Sequence, residues 1–150
     1  MGTSKKRKEF STSGSAQIQI DRPRMDVNLN GLTLAYIGDA YYELCVRQHL
    51  LDKKLTHVNE LHRQAIRFTA STAQAKIILH WLNGEHMTES EIDLFKKGRN
   101  YSGPGRKNVD AKTYHLATGF ESLIGSLYLN HRERADQLIQ MAIDFIEEGI

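Results

Sequence analysis

A single cysteine in 150 residues excludes a disulfide framework, and also any zinc cluster built on converging thiolates. No apolar run approaches the roughly 20 residues needed to cross a bilayer. The basic N-terminus is followed by Ser, Thr, Gly and Gln rather than by the apolar core of a signal peptide. These absences predict a non-secreted, cytoplasmic protein in a reducing compartment. The seven histidines include no H-E-x-x-H pair, and His57 and His62 fall on poorly aligned helix faces. With no G-x-S-x-G, no P-loop and no dinucleotide fingerprint either, zinc hydrolysis, acyl transfer, P-loop NTPase activity and redox chemistry lack local support.

Charge of one sign is also scarce in the body of the chain. The net charge is +2, but the first 24 positions hold six basic residues against two acidic ones, a net +4, which leaves 14 basic against 16 acidic in the remaining 126. A nucleic-acid-binding reading therefore has to rest on local clusters, not on the whole domain. Residues 1–24 combine a KKRK run, a Ser/Thr/Gly stretch and Pro23 with few large apolar groups, and are expected to form a flexible basic tail. A natural basic arm, a localisation patch and an expression leader all fit that composition.

What the chain does have is helical periodicity. The 40% hydrophobic content and the length suit one core-bearing domain over 25–150. From Asn30 the apolar residues recur at spacings of three and four, so the fold class expected is all-α. Leu34, Ile37, Tyr41, Leu44 and Cys45 predict one face of a helix ending near Leu51. A second helical region covers Val58 to Leu82, bent around Thr69 to Thr72, where hydroxyl and β-branched residues weaken helix propensity. Thr88 to Glu91 has the form of a capping box and opens a short helix to Lys97, with Gly98 as its stop. Gly103, Pro104 and Gly105 mark Arg99 to Asp110 as a surface loop. Helices over Ala111 to Leu129 and Arg132 to Glu148 complete the bundle.

Two carboxylates stand out against this apolar background. Asp39 lies in LAYIGDAYYEL next to Gly38, which costs about 1 kcal/mol relative to Ala in a helix interior. It either points out of the bundle, caps a kink, or sits where a bare backbone admits a close neighbour. Glu121 occupies a similar place in ATGFESLIGSLYL. If the two helices pack together, the carboxylates face one another and repel unless a proton or a hard cation relieves them. Mg²⁺, with Mn²⁺ as a substitute, suits two carboxylates that leave the remaining coordination to water and phosphate. Beside them, Lys96, Lys97, Arg99, Arg106, Lys107 and Lys112 stand against Asp110 alone and predict a phosphate-facing edge. Asn100 adds hydrogen-bonding capacity, as do Tyr101, Asn108 and Tyr114. His62, Arg63 and Arg67 form a weaker basic satellite, and Cys45 reads as a small core residue.

LAYIGDA resembles the L-E-F-L-G-D-A signature of the ribonuclease III family, and FESLIGSLYL resembles its second acidic helix. Together with LNGLTLAYIGDAYYELCVRQHLL, the string from Asn59 to His62, KKGRN and KNVDAKTY, they resemble the family's Mini branch over Leu29 to about Glu148. The resemblance implies an all-α, homodimeric, Mg²⁺-dependent endoribonuclease that hydrolyses double-stranded RNA to 5′-phosphate and 3′-hydroxyl ends. In the Mini branch the implied substrate is the large-subunit (23S) ribosomal RNA precursor, with a ribosomal protein as a possible accessory. It carries the catalytic, metal-binding carboxylates onto Asp39 and Glu121. Two further acidic positions of ordinary ribonuclease III are Ala35 and Thr118 here, which implies a reduced ligand set. No separate double-stranded-RNA-binding module is expected in the chain, so the catalytic domain itself would hold substrate. A non-catalytic RNA-binding protein on a degenerate nuclease fold and a small helical nucleotide hydrolase are the competing readings, and the basic loop is excessive for the latter.

Overall fold

The computed structural model describes residues 29–100 and 110–149. Within them the chain forms α1 (Gly31–Asp52), α2 (Val58–Thr69), α3 (Ser71–Asn83), α4 (Glu89–Asn100), α5 (Ala111–Asn130) and α6 (Arg132–Glu147), with no strand among the described residues. The all-α expectation holds. The N-terminal tail, like Arg106 and Lys107, lies outside the described residues.

Two helices begin at side-chain caps. The Asn30 side chain accepts from the Thr33 amide at 2.8 Å, satisfying one of the free donors of α1. At α4 the capping box forms as the sequence predicts. The Glu91 amide donates to Thr88 Oγ1 at 3.1 Å and the Thr88 amide donates to Glu91 Oε1 at 3.0 Å. Arg134 then reaches from α6 to grip the same carboxylate, its Nε 2.7 Å from Oε2 and its Nη2 3.0 Å from Oε1. Burial alone would raise the Glu91 carboxyl, but the Arg134 and Thr88 hydrogen bonds outweigh it and hold it below the usual carboxylate range.

The centre of the molecule is α5. From Leu116 to Leu127 every residue is buried but Glu121, and α1, α3, α4 and α6 all pack on this helix. Trp81, Tyr42, Phe68, Phe95 and Phe120 are fully buried, each contributing about 1.5–3 kcal/mol of transfer free energy.

Two boundaries and one buried face differ from the sequence reading. The expected bend after Thr69 is a break between two helices, because Ala70 is extended at φ −61° and ψ 149°. Gly98 does not stop α4, which runs on to Asn100. It is a buried contact point, where a Cβ would meet Ser122 Oγ at 2.8 Å and the Thr118 carbonyl oxygen at 3.0 Å. The fully buried face of α1 is Leu34, Ala35, Gly38, Tyr42, Val46 and Leu50; of the expected stripe, Leu34 is buried, Tyr41 and Cys45 are partly buried against the core, and Leu44 is 60% exposed. Apolar residues surround α1 almost completely, so periodicity offers little contrast with which to choose a face.

The choice is made by glycine. A Cβ on Gly38 would fall inside the van der Waals shell of the Glu121 carbonyl oxygen and 2.6 Å from the Gly125 nitrogen. A Cβ on Gly125 would collide with the Leu34 carbonyl oxygen and lie 3.0 Å from the Gly38 nitrogen. The two backbones therefore touch, and no side chain can rotate away to make room. Gly38→Ala and Gly125→Ala are each expected to lose about 3 kcal/mol of stability through overpacking, read from urea denaturation midpoints at constant slope.

Candidate active site

The glycine contact fixes which side chains meet on either side of it. Asp39 follows Gly38 on α1 and is exposed, while Glu121, whose own carbonyl Gly38 touches, is half-buried on α5. Their carboxyl groups interact directly: burial first, then the negative charge of Asp39 and a hydrogen bond with it, push the Glu121 carboxyl up to about 8. The raised Glu121 carboxyl keeps its proton near neutral pH, which relieves part of the repulsion.

One further side chain holds Glu121. Gln74, on the first turn of α3 and 1% exposed, donates from Nε2 to Glu121 Oε2 at 3.2 Å and to the Thr69 carbonyl oxygen at 3.2 Å. This hydrogen bond lowers the Glu121 pKa, against the larger upward effects. The break at Ala70 leaves the last carbonyls of α2 without the helical donors that a continuous helix would supply. Tyr42 Oη fills that role at Phe68, 2.9 Å away, and Gln74 at Thr69. Sequence reasoning passed over Gln74. Its signal was a glutamine in register with Ile77, Ile78 and Trp81 on the buried stripe of α3.

The two positions at which the sequence resemblance leads one to expect further acids are both buried, Ala35 at 6% and Thr118 at 5% exposure. Ala35 has no side-chain donor atom, and the Thr118 hydroxyl donates to the Tyr114 carbonyl oxygen at 2.9 Å. Among the described residues no cluster of three or more His, Cys, Asp or Glu is placed to hold a metal. What the site offers a cation is a pair of hard oxygen donors.

The basic candidates divide into three groups. Lys96, Lys97, Arg99 and Asn100 occupy the last turn of α4, with Lys96 exposed, the Arg99 guanidinium 5.4 Å from the Phe95 ring centre, and Arg99 Nε donating to Asn100 Oδ1 at 3.2 Å. Because Gly98 on that turn packs against Ser122 and Thr118, the turn lies beside the part of α5 that carries Glu121. Lys112 is exposed on the first turn of α5. On α2, Arg67 lies two residues before Thr69, its Nη1 donating to Gln64 Oε1 at 2.8 Å. His62 belongs to the other end of that helix, lining an apolar cavity of 260 Å³ with Leu50, Leu51, Val58, Leu61 and Ala65, and it does not share a helix face with Arg67. Cys45 is half-buried, and burial pushes its thiol up despite the Tyr41 hydrogen bond, as suits a packing residue rather than a nucleophile.

Comparison with known proteins follows the same outline. Residues 32–132 match the model of the ribonuclease III domain. Mini-ribonuclease 3 of Acholeplasma laidlawii (strain PG-8A) is 48% identical over 121 residues, covering 81% of this chain and 97% of that protein. Mini-ribonuclease 3 of Symbiobacterium thermophilum is 46% identical over 125 residues, covering 82% and 95%. A crystal structure of a Fusobacterium nucleatum protein superposes with a TM-score of 0.70 at 24% identity, covering 81% of this chain and 99% of that one. That likeness bears on the fold alone.

The raised Glu121 carboxyl has a signed consequence for metal-free protein. Its folded pKa lies above the unfolded value, so the folded state binds the extra proton between the two. The stabilisation is complete below pH ~4.3 and is lost as pH rises towards 8. In EDTA, Glu121→Gln is expected to melt higher than wild type at pH 8, with the difference shrinking steadily as pH is lowered to 5. Scanning calorimetry across that range reads it directly, and a gap independent of pH would separate Glu121 from the effect.

Proposed function

The chain belongs to the ribonuclease III family, and from that premise we propose that it is a divalent-metal-dependent endoribonuclease that hydrolyses double-stranded RNA at Asp39 and Glu121. The observation that carries the reading is the carboxylate pair itself, two acids brought against each other by a backbone contact. The donor chemistry fits Mg²⁺ or Mn²⁺: two carboxylates are a normal protein share of such a site, with water and phosphate oxygens completing it. When bound, the ion would polarise a water molecule and stabilise negative charge on the scissile phosphate.

The protein's own groups do the rest. Asp39, exposed on α1, gives substrate phosphate access to the pair, and Glu121 releases its proton to serve as a ligand. Lys96, Lys97, Arg99 and Asn100, on the α4 turn that lies beside α5, and Lys112, on the first turn of α5, are the proposed RNA-backbone contacts, with Arg106, Lys107 and the α2 residues His62 and Arg67 as outer contacts. Backbone and A-form shape, rather than base identity, would set the recognition. The products are a 5′-phosphate and a 3′-hydroxyl. Ribosomal RNA precursors, handled in the cytoplasm with a ribosomal protein as accessory, are proposed as the natural substrate class on the resemblance of the sequence motifs to the Mini branch. No described helix is long and apolar enough to cross a membrane.

A two-fold dimer would supply one site per strand. Its support is a strip along α1 in which Leu32, Tyr36, Ala40 and Leu44 recur every four residues and are all exposed, Tyr36 to 82%. An apolar strip of that kind on a soluble domain suits an interface.

Asp39→Asn and Glu121→Gln are each expected to lower cleavage of a long RNA duplex in Mg²⁺ by roughly a thousandfold, about 4 kcal/mol of barrier, with circular dichroism unchanged. Single-stranded RNA and EDTA controls should show no cutting. Tight duplex binding without turnover in Mg²⁺ or Mn²⁺ would instead support a degenerate RNA-binding fold, with Ala35 and Thr118 as the reason. Lys96→Ala and Lys112→Ala should each reduce the slope of log K against log salt for duplex binding by about 1, as expected for one lost phosphate contact. In sedimentation equilibrium, wild type should be a dimer and Tyr36→Lys a monomer.

A further inference from the structure

We propose that Gln74 is a positioning residue for the metal-binding carboxylate, fixing the orientation of Glu121 through a neutral hydrogen bond; this rests on the nuclease reading above. Three observations support it. Gln74 is 1% exposed, so its amide is held by its neighbours and not by solvent. Its Nε2 bridges two acceptors, Thr69 O and Glu121 Oε2, both at 3.2 Å. A peptide carbonyl can only accept, which fixes the amide with its nitrogen towards both partners. Its Oε1 is buried with no hydrogen-bond partner, an unfavourable placement that an apolar residue on this stripe would avoid.

The consequence for Glu121 is geometric. With Oε2 tied to the α2–α3 corner, the orientation of the Glu121 carboxylate beside Asp39 is restrained. A lysine at this position would also donate, but its charge would cancel one of the two that attract a cation. The amide orients the ligand and leaves the charge of the pair intact. Where ordinary ribonuclease III has further acids, this chain has the donorless Ala35 and the back-bonded Thr118, so the geometry of each remaining ligand matters more. Restraining a ligand before the metal arrives lowers the entropy lost on binding.

The test separates metal binding from folding and from chemistry. Gln74→Met keeps the side-chain length and buried volume but removes the donor. Mn²⁺ affinity, measured without RNA by electron paramagnetic resonance of the free ion, is expected to fall roughly tenfold, the scale of one hydrogen bond to a charged group. The Mg²⁺ concentration for half-maximal duplex cleavage should rise by the same factor, while kcat at saturating Mg²⁺ stays within about threefold of wild type and metal-free RNA affinity is unchanged. A purely structural role would not produce that split. Wild type that neither cuts duplex RNA nor responds to metal would overturn the nuclease reading and this inference with it. A cutting wild type whose Mg²⁺ requirement is matched by folded Gln74→Met would overturn this inference alone. Should the variant fail to fold, the assigned side-chain ¹⁵N resonance of Gln74 in wild-type protein decides the matter. It must shift on Mg²⁺ addition with the half-saturation of the Glu121 carboxyl carbon, and a resonance that ignores the metal rejects the assignment.

Discussion

The backbone contact between Gly38 and Gly125 is the constraint on which the site depends. Side-chain packing usually holds helices 8–10 Å apart, a separation that would leave two short acidic side chains to find each other by chance. Here the absence of Cβ atoms lets α1 settle against the Glu121 and Leu34 carbonyls, and the carboxylates on either side of the crossing have little freedom to avoid one another. Burial of the rest of α5 supplies the force that holds this arrangement. The repulsion between Asp39 and Glu121 is small beside several fully buried aromatic and aliphatic side chains.

Around that crossing the molecule places its other features at short range. Gly98 repeats the device on α4, bringing a lysine- and arginine-bearing turn close to the same stretch of α5. The break at Ala70 has a similar economy. By ending α2 early it frees two carbonyls, and the side chains that satisfy them, Tyr42 and Gln74, belong respectively to the core and to the carboxylate site. Elsewhere, Arg134 and the capping box at Glu91 tie α6 to α4. Lys53 and His49 meet Glu147 at 2.6 and 2.7 Å, closing α6 onto the end of α1.

Much of this was legible in the residues. Helical periodicity gave the all-α class, Thr88 and Glu91 gave the start of α4, and the odd pairing of Gly38 with Asp39 marked the place where two helices meet. The apolar positions Leu116, Phe120, Leu123, Ile124 and Leu127 are all buried, because α5 is enclosed on every side and any apolar residue there is correct. On α1 the same reasoning fails, since exposed Tyr36 and Leu44 look as apolar as buried Tyr42 and Val46. Gly98 read as a stop because composition cannot distinguish a glycine that ends a helix from one that lets a neighbour approach. Gln74 was hidden for another reason: its meaning depends on a carboxylate 47 residues away, and local pattern carries no information at that distance.

The glycine crossing also limits how this sequence can change over time. Most core contacts join one side chain to another, so a larger residue on one helix can be matched by a smaller one opposite. At Gly38 and Gly125 the opposing surface is main chain, which has nothing to trim. No second-site substitution restores the fit, and neither position has a compensated neighbour from which it can be reached again once lost. Drift can repack the surrounding core, but it must do so around a fixed point at which the two helices, and the acids they carry, stay in register.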